Sequence, residues 1–392
     1  MACEQRESLT ASTGGKRIAA WSAFLAFCGT STAAVLAGSI SENNLEKSEE
    51  YLQKHLYRHA MPAAQMAIVL AGKDGNLDDR VKATVIVGKS NIGLSQYDLA
   101  EKNFKDAIAL TPAGAKSAAT ADALTGMARV CMNRNDLKSA KSYLDRALAM
   151  RNALPKNDKA SSADTHLAMA ELNMKQKSYA AAAAQIEQAL RLSTRPGAQL
   201  AEILDKQGEL FEAQGKYEKA QAIYDKALLI EKSSLKESSE PGKQAKETFY
   251  ADTYMGLGRI AAHRRDFKTA QDCFKRAATL YVMGCGGFDL SASRAEFALG
   301  QAYESQGNYE KATEHYRTCR TVRQELLKST DKLRLEAESA YNRTSSQRTL
   351  QIPMLSRSKA KGQNPFRTEP SLSQAGKSRI VPLNSPEFAH GR

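Results

Sequence analysis

The stretch "GKYEKAQAIYDKA" (Gly215–Ala227) returns 92 residues later as "GNYEKATEHYRTC" (Gly307–Cys319). Both copies place an alanine, a tyrosine and a small residue at positions i, i+4 and i+7. These positions share one face of an α-helix, so the stretch predicts a helix with a small, large and small apolar face. A pattern that recurs at long range is typical of a chain built from copies of one structural unit.

Four further copies of this pattern lie in the central part of the chain. In each copy an anchor alanine is followed by a large residue and then by a small one. The successive anchors are 40, 42, 38, 50 and 42 residues apart, which indicates a tandem repeat. The six copies are Ala100/Phe104/Ala107, Ala140/Leu144/Ala147, Ala182/Ile186/Ala189, Ala220/Tyr224/Ala227, Ala270/Phe274/Ala277 and Ala312/Tyr316/Cys319.

A second small residue stands twelve positions before each anchor. Apolar residues surround it at helical spacing, and a short polar turn such as "AQGKY" or "SQGNY" separates it from the anchor helix. Small residues at a helix crossing let two antiparallel helices approach closely. One helix pair cannot bury its apolar face alone, so the pairs are predicted to stack into a solenoid. The small residues are Gly88, Ala128, Ala170, Gly208, Gly258 and Gly300.

Helix-breaking residues follow the second helix of most units. Prolines occupy this place at positions 112, 155, 196 and 241. After the fifth unit the segment "GCGG" at 284–287 takes the same place. It lacks the Lys-Ser/Thr and the preceding strand of a phosphate-binding loop, so an inter-repeat turn is predicted.

The small-residue spacing, the aromatic residue in the second helix and Pro112 together resemble the tetratricopeptide repeat (TPR) family. Its basic unit has about 34 residues. The longer units here are similar to the extended repeats of kinesin light chain. The resemblance covers about residues 80–325. It implies an all-α, right-handed superhelical solenoid of about six helix-turn-helix repeats, with a seventh left open.

The two ends of the chain differ from the repeats in composition. Twenty uncharged residues, 18–37, follow Lys16-Arg17 and predict a cleaved signal peptide or an N-terminal membrane anchor. The repeats would then be exported to a periplasmic or extracellular space or held at a membrane, and a cytoplasmic location is less favoured. The alternative is a buried helix of a soluble protein.

The last 47 residues, 346–392, hold eight Arg and Lys residues against two acids, and the whole chain carries a net charge of +13. They contain five of the ten prolines and no helical periodicity, so a disordered basic tail is predicted. The predicted segments are 1–37 as signal or anchor, 38–80 as capping helices or a degenerate repeat, 81–330 as the solenoid, 331–345 as a C-terminal capping helix and 346–392 as the tail.

Motifs that would indicate catalysis are absent from the sequence. The six cysteines form no C-x-x-C pair, and the segment "HLYRH" (His55–His59) puts two histidines at helical spacing but has Leu56 where a zinc protease needs glutamate. No serine-nucleophile or nucleotide-binding motif appears. The sequence therefore predicts a protein that is not an enzyme and binds no metal or cofactor.

The family resemblance also implies a binding surface. In TPR proteins the first helices of successive units line a concave groove that holds a peptide or a partner helix. The inward positions here are acidic in the middle and basic toward both ends, which favours a protein ligand with a basic central segment. Solvated charges without a ligand are the alternative. The carried-over positions are Lys89, Arg129, Glu171, Glu209, Arg259 and Gln301, with neighbouring positions Asp164, Glu202, Asp205 and Glu212.

The sequence therefore leaves two hypotheses for the function. The first is a non-enzymatic protein-interaction scaffold that binds its partner in the groove. The alternative is a basic accessory protein that binds nucleic acid or anionic lipid through residues 346–392. Nucleic acid is the less favoured partner, because a solvated basic tail accounts for much of the excess positive charge.

Overall fold

The computed structural model describes residues 41–154, 159–193, 197–236 and 250–360. The chain divides into two units, residues 1–345 and 346–392. Within the described residues the regular structure is helical throughout, which confirms the all-α repeat solenoid. The predicted N-terminal signal or anchor, Pro155, Pro196, Pro241 and residues 361–392 lie outside the described residues.

The described helices follow one another as pairs joined by tight turns. From α3 to α14 each first helix packs against the second helix of its own unit, and from α2 to α12 each second helix packs against the first helix of the next unit. The helices are α1 (41–53), α2 (Tyr57–Asp74), α3 (Leu77–Gly93), α4 (Tyr97–Leu110), α5 (Ala118–Asn133), α6 (Leu137–Asn152), α7 (Lys159–Lys175), α8 (Tyr179–Leu192), α9 (Ala198–Ala213), α10 (Tyr217–Lys236), α11 (Tyr250–His263), α12 (Phe267–Cys285), α13 (Leu290–Ser305), α14 (Tyr309–Leu326) and α15 (Lys332–Ala360).

The anchor residues form the core of every predicted unit. All eighteen members of the six triplets are exposed by 2% or less. Because each triplet lies on the second helix and faces the first, the hydrophobic core runs as a chain of small clusters along the solenoid. This burial confirms the two-helix unit predicted from the spacing.

Glycine and aromatic residues are matched across the helix pairs. A Cβ atom added to Gly88 would lie 2.5 Å from the Phe104 ring, and one added to Gly258 would lie 2.5 Å from the Phe274 ring. Gly208 and Gly300 meet Tyr224 and Tyr316 in the same way. The two units with alanine at this place, Ala128 and Ala170, carry the aliphatic residues Leu144 and Ile186 instead. Glycine in the first helix therefore leaves room for the aromatic ring of the second helix, which a methyl group at that position would overlap.

The turn inside every unit adopts the same left-handed backbone conformation at one residue. Two of these residues are glycines, at φ 72° in each case, and the others carry side chains. A left-handed residue satisfies the carbonyl groups at the end of a helix, which explains why the fourth and sixth units show glycine there. The residues are His55, Ser95, Asn135, Lys177, Gly215, Arg265 and Gly307.

The N-terminal segment, left open as a cap or a degenerate repeat, forms the helix pair α1 and α2. Ala60, Ala64 and Ala67 on α2 are fully buried at the spacing of the other triplets, and Ser48 on α1 is fully buried twelve residues earlier. Ala60 stands 40 residues before Ala100, so the register is that of the repeat. The sequence left open whether this segment is a repeat, because alanine occupies the place of the large residue.

Two predictions differ from the structure. His55 and His59 do not share a helix face, because His55 lies in the left-handed turn before α2 and only His59 lies on that helix. The capping helix predicted to end at residue 345 continues as α15 to Ala360. Extending an existing helix costs less than starting a new one, which accounts for the longer α15. None of the helices within the described ranges has the length and apolarity to cross a bilayer.

Candidate ligand-binding lumen

The first helices form the inner side of the solenoid. Successive first helices contact one another from α3 through α11, whereas packing between the described second helices of neighbouring units is sparser. The space that they enclose is called the lumen below. All ten residues predicted to line a groove lie on these first helices: Lys89 on α3, Arg129 on α5, Asp164 and Glu171 on α7, Glu202, Asp205, Glu209 and Glu212 on α9, Arg259 on α11 and Gln301 on α13.

Ion pairs join the inner positions of the first units. The Lys89 Nζ atom lies 2.7 Å from an Asp122 carboxylate oxygen and 3.8 Å from one of Asp164. Arg151, whose side chain is only 2% exposed, donates a hydrogen bond to the other oxygen of Asp122. These contacts link α3, α5 and α7 through charged groups.

The same pattern continues through the middle of the lumen. An Arg129 Nη atom lies 2.6 Å from Asp164, and its Nε lies 3.6 Å from Glu171. The Lys206 Nζ atom lies 3.7 Å from Glu171 and 3.0 Å from Glu209. The middle of the lumen is therefore not simply acidic, because its carboxylates alternate with cations.

The remaining predicted residues separate into three environments. Glu212 pairs with Arg259 at 2.8 Å. Asp205 is buried and accepts a hydrogen bond of 2.8 Å from the Thr253 hydroxyl. Gln301 is exposed on α13, whereas the ion pairs described above join helices α3 to α11. Nine of the ten predicted residues are thus charged groups that the fold gathers on its inner helices.

The pKa values of two central carboxylates, Asp164 and Glu202, are shifted in opposite directions. Burial alone would raise the pKa of Asp164, but Arg129, Lys89 and Arg151 lower it to about 2. Burial raises the pKa of Glu202 to about 7, helped by the negative charges of Asp164 and Glu171 and opposed by Arg129 and Lys206. The difference arises because Asp164 contacts a guanidinium directly and Glu202 does not.

The solenoid curls until its N-terminal helix pair and its fifth predicted unit meet. Helix α2 contacts α12, and the Arg58 side chain packs on the backbone of Gly286, where an added Cβ would lie 3.1 Å from the Arg58 Cδ atom. A cavity of about 460 Å³ lies at this closure, inside the lumen. Its lining includes Tyr57, Tyr97, Lys206, Asp252, Tyr281 and Arg294.

Several lumen residues were missed by the sequence reasoning. Asp122 and Asp252 occupy the same register as Asp164 and Glu202, at intervals of 42, 38 and 50 residues, and Arg294 follows 42 residues later. Applying the repeat period to this position would have found all three. Lys206 has no equivalent in the other units. Only the structure shows that it pairs with the carboxylates of both Glu171 and Glu209.

Two titratable side chains at the closure interact with neighbouring carboxyl groups. Tyr281 donates a hydrogen bond to Asp252. Burial, and after it the charge of Asp289, raise the pKa of the Cys285 thiol well above its usual range, so this thiol stays protonated. Across the described ranges no three His, Cys, Asp or Glu side chains are placed to hold a metal ion.

Comparisons with known proteins agree with this architecture. Three family models, each described as tetratricopeptide repeat, match residues 125–199, 203–237 and 249–325. No curated protein matches the sequence. Together the three matches cover the second to sixth predicted units in large part.

Solved structures show the same fold at low identity. Yeast Tom70 is 17% identical with a TM-score of 0.50, over 82% of this chain and 67% of that one. A tetratricopeptide repeat protein from Parabacteroides merdae is 12% identical with a TM-score of 0.44, over 78% of this chain and 99% of that one. The APC/C hetero-tetramer Cut9-Hcn1 is 12% identical with a TM-score of 0.47, over 77% of this chain. This chain spans 55% of the length of that last neighbour.

Proposed function

The chain belongs to the tetratricopeptide repeat family, and we propose that it is a non-enzymatic scaffold that binds a segment of a partner protein in its lumen. Tetratricopeptide repeats are generally protein–protein interaction scaffolds. The observation that carries the proposal is the gathering of charged side chains on the inner helices, around a cavity of about 460 Å³. Charged groups that keep part of their surface in water can exchange their internal partners for those of a ligand.

The exposure of these groups supports a role in binding. Lys89, Asp122, Asp164 and Arg129 keep between 15% and 24% of their side-chain surface exposed. Ion pairs that served stability alone would gain little at such positions, because exposed pairs contribute about 0–1 kcal/mol each. A partner segment entering the lumen would meet a prearranged set of donors and acceptors at low ordering cost.

We also propose that the solenoid is exported or anchored at a membrane. The support for this location is the uncharged segment at 18–37 behind Lys16-Arg17. Cell fractionation and N-terminal sequencing of the full chain test it. A chain that retains residue 1 and stays in the cytoplasmic fraction would contradict it.

Site-specific photo-crosslinking in cells tests the scaffold function. A photoreactive amino acid at Arg294, which lines the cavity, should capture a partner protein. The same group at Glu187, which is 62% exposed on the second helix α8, serves as the control and should not capture that protein. A third position, Ser371 in the basic tail, reports on the alternative function.

The outcomes separate the two functions. Capture of one defined protein from position 294 and not from position 187 supports the scaffold. Capture of nucleic acid or lipid from position 371 alone, lost on washing at about 0.5 M salt, would move the function to the tail. Equal labelling from all three positions would contradict both.

A further inference from the structure

Two hydrogen-bond donors from distant parts of the chain line the cavity of about 460 Å³ at the closure, which is called the closure cavity below. One is the guanidinium group of Arg294 on α13, and the other is the hydroxyl group of Tyr57 at the start of α2, 237 positions earlier. Across the described part of the chain, neither side chain forms a hydrogen bond, and Arg294 forms no ion pair. Both donors are therefore open to a ligand, in a cavity whose volume is typical of ligand sites.

The other Lys, Asp and Glu side chains that line the closure cavity have partners inside the protein. The Lys206 Nζ atom lies 3.0 Å from a Glu209 carboxylate oxygen, and Asp252 accepts a hydrogen bond from Tyr281. Arg294 is thus the lining cation whose donors are not already used. A guanidinium group presents its N–H donors in a planar fork that matches the two oxygens of a carboxylate.

The place of Arg294 in the repeat is acidic in the four units before it. Asp122 and Asp164 at this place contact cations of the inner helices, and Asp252 contacts Tyr281. The sixth unit therefore presents a donor where the earlier units present acceptors. The equivalent residues are Asp122, Asp164, Glu202 and Asp252, followed by Arg294.

A glycine holds the second donor at the wall of the closure cavity. A Cβ atom added to Gly93 on α3 would lie 2.3 Å from the Cζ atom of Tyr57, which carries the hydroxyl group. Any side chain at this place would push the hydroxyl end of the ring away from α3. Gly93 and Tyr57 both line the closure cavity, so the absence of a side chain at Gly93 lets the tyrosine form part of its wall.

From these two open donors we propose that the closure cavity accepts a carboxylate side chain, aspartate or glutamate, of the partner segment. Arg294 binds the carboxylate, and Tyr57 donates a second hydrogen bond to the same group. A carboxylate has two oxygens and about four acceptor sites, which is enough for both donors. The inference rests on the proposed scaffold function and names the residue type that the partner presents at the closure. Because the donors lie on α2 and α13, the bound ligand also ties the two sides of the closure together.

Selection of peptides by the full-length chain tests the proposal. The probe is a display library of random linear twelve-residue peptides. Wild type should enrich sequences that share an aspartate or glutamate at one position, Arg294→Gln should lose this preference, and Arg294→Lys should keep part of it. The control Arg80→Gln changes an exposed arginine of α3 that does not line the closure cavity and should select as wild type does.

Synthetic copies of the enriched peptides give the quantitative test. Arg294→Gln should weaken binding of the acidic peptide by about tenfold or more, as expected for a charge-assisted contact. Replacing the acidic residue of the peptide by its amide should weaken wild type equally and leave Arg294→Gln almost unchanged. The amide peptide requires no protein variant, so this comparison does not depend on the folding of a mutant.

The hydroxyl group of Tyr57 is tested by its removal alone. Tyr57→Phe should weaken binding of the acidic peptide by about threefold to tenfold and change binding of the amide peptide little. The matched control is Tyr309→Phe, at the same place in its unit but outside the closure cavity, and it should leave both affinities unchanged. In hydrogen exchange, the acidic peptide should protect the backbone around both Tyr57 and Arg294 more than the amide peptide does.

The photo-crosslinking experiment above connects with this inference. A photoreactive residue at position 294 removes the arginine that binds the carboxylate. Asn133 lines the same cavity, so a photoreactive group at position 133 captures the partner with both donors intact.

The contrary results are distinguishable. If wild type enriches no peptide over particles without an insert, the proposed binding function of the lumen fails and this inference fails with it. If wild type enriches peptides without a shared acid, or if Arg294→Gln selects the same acidic sequences, the scaffold function stands and the role of Arg294 is wrong. Full affinity in Tyr57→Phe, or protection on one side of the closure only, would overturn the contact with both sides. Circular dichroism of each variant checks that it is folded.

Discussion

Single methyl groups decide how closely the helices of this solenoid pack. Where the second helix carries a ring, the first helix carries glycine, as at Gly258 and Phe274. Where it carries leucine or isoleucine, alanine is present, as at Ala128 and Leu144. The two residues must therefore change together, because a close-packed core tolerates neither overlap nor a void.

This complementarity predicts a non-additive mutant pair. Gly258→Ala should lower the stability of the solenoid by about 1–3 kcal/mol, because the new methyl group would lie 2.5 Å from the Phe274 ring. Phe274→Leu alone should also destabilise, by leaving a cavity. The double variant recreates the Ala128/Leu144 pairing and should be more stable than the sum of the two losses. Thermal unfolding followed by circular dichroism measures the cycle, and simple additivity would show that the two residues do not compete for space.

The charge of Glu202 gives a pH-dependent stability. Its pKa is raised from 4.5 to about 7, so the folded state holds this proton more tightly than the unfolded chain does. The stabilisation is complete below about pH 4.5 and is lost as the pH rises through about 7. Glu202→Gln should therefore gain stability over wild type as the pH rises across this window, by about 1–3 kcal/mol at pH 8. Denaturant unfolding at several pH values measures the difference, and a pH-independent difference would contradict the assignment.

The turns inside the units use one backbone conformation with very different residues. Gly215 adopts it without strain, while Lys177 and Arg265 adopt it at φ of 58° and 61°. A side chain in this region clashes with the following carbonyl group, at a cost of about 1–2 kcal/mol. The third and fifth units are therefore locally strained where the fourth is relaxed.

Exchanging these residues should move stability in opposite directions. Lys177→Gly should raise the free energy of unfolding by about 0.5–1 kcal/mol, the strain relief being partly offset by the greater freedom of glycine in the unfolded chain. The matched reversal, Gly215→Lys, should lower it by a similar amount. Denaturant titration of both variants checks the signs. If Lys177→Gly were destabilising, the lysine side chain would have to contribute contacts that outweigh the backbone strain.

At the scale of the whole solenoid, curvature brings residues 228 positions apart into contact. Arg58 lies in the N-terminal helix pair and Gly286 follows α12 of the fifth predicted unit, yet they touch across the closure. This contact turns an open concave surface into a lumen that is bounded on several sides. A partner segment would therefore have to enter along the lumen axis, or enter after the contact between α2 and α12 has opened.

Thiol crosslinking tests the closure directly. The variant Arg58→Cys with Gly286→Cys should be joined by a short bifunctional thiol crosslinker, because the Arg58 Cδ atom lies 3.1 Å from a Cβ built on Gly286 and the spacer replaces the length of the arginine side chain. The control pairs Arg58→Cys with Gly114→Cys, another glycine of positive φ that has no neighbouring atoms within 4 Å. Equal crosslinking of both pairs would indicate random encounter rather than a preformed contact.

The sequence by itself determined the repeat, its two helices and its buried triplets. Each of these depends on residues that are close in the chain and on a period that recurs, so local spacing was sufficient. It also identified most of the charged inner positions, since these follow the same period. It left open whether the N-terminal segment is a cap or a repeat, because Ala64 replaces the large residue, and it did not give the boundary of α15.

Only the tertiary structure decided which charges meet. Whether Glu171 is a free carboxylate or a partner of Lys206 depends on how two helices of different units are stacked, and the spacing along one chain does not contain that information. The same holds for the closure between α2 and α12, because a small rotation per unit accumulates over the solenoid before its ends meet. Periodicity fixes what each unit looks like, and the angle between units determines which side chains surround a ligand.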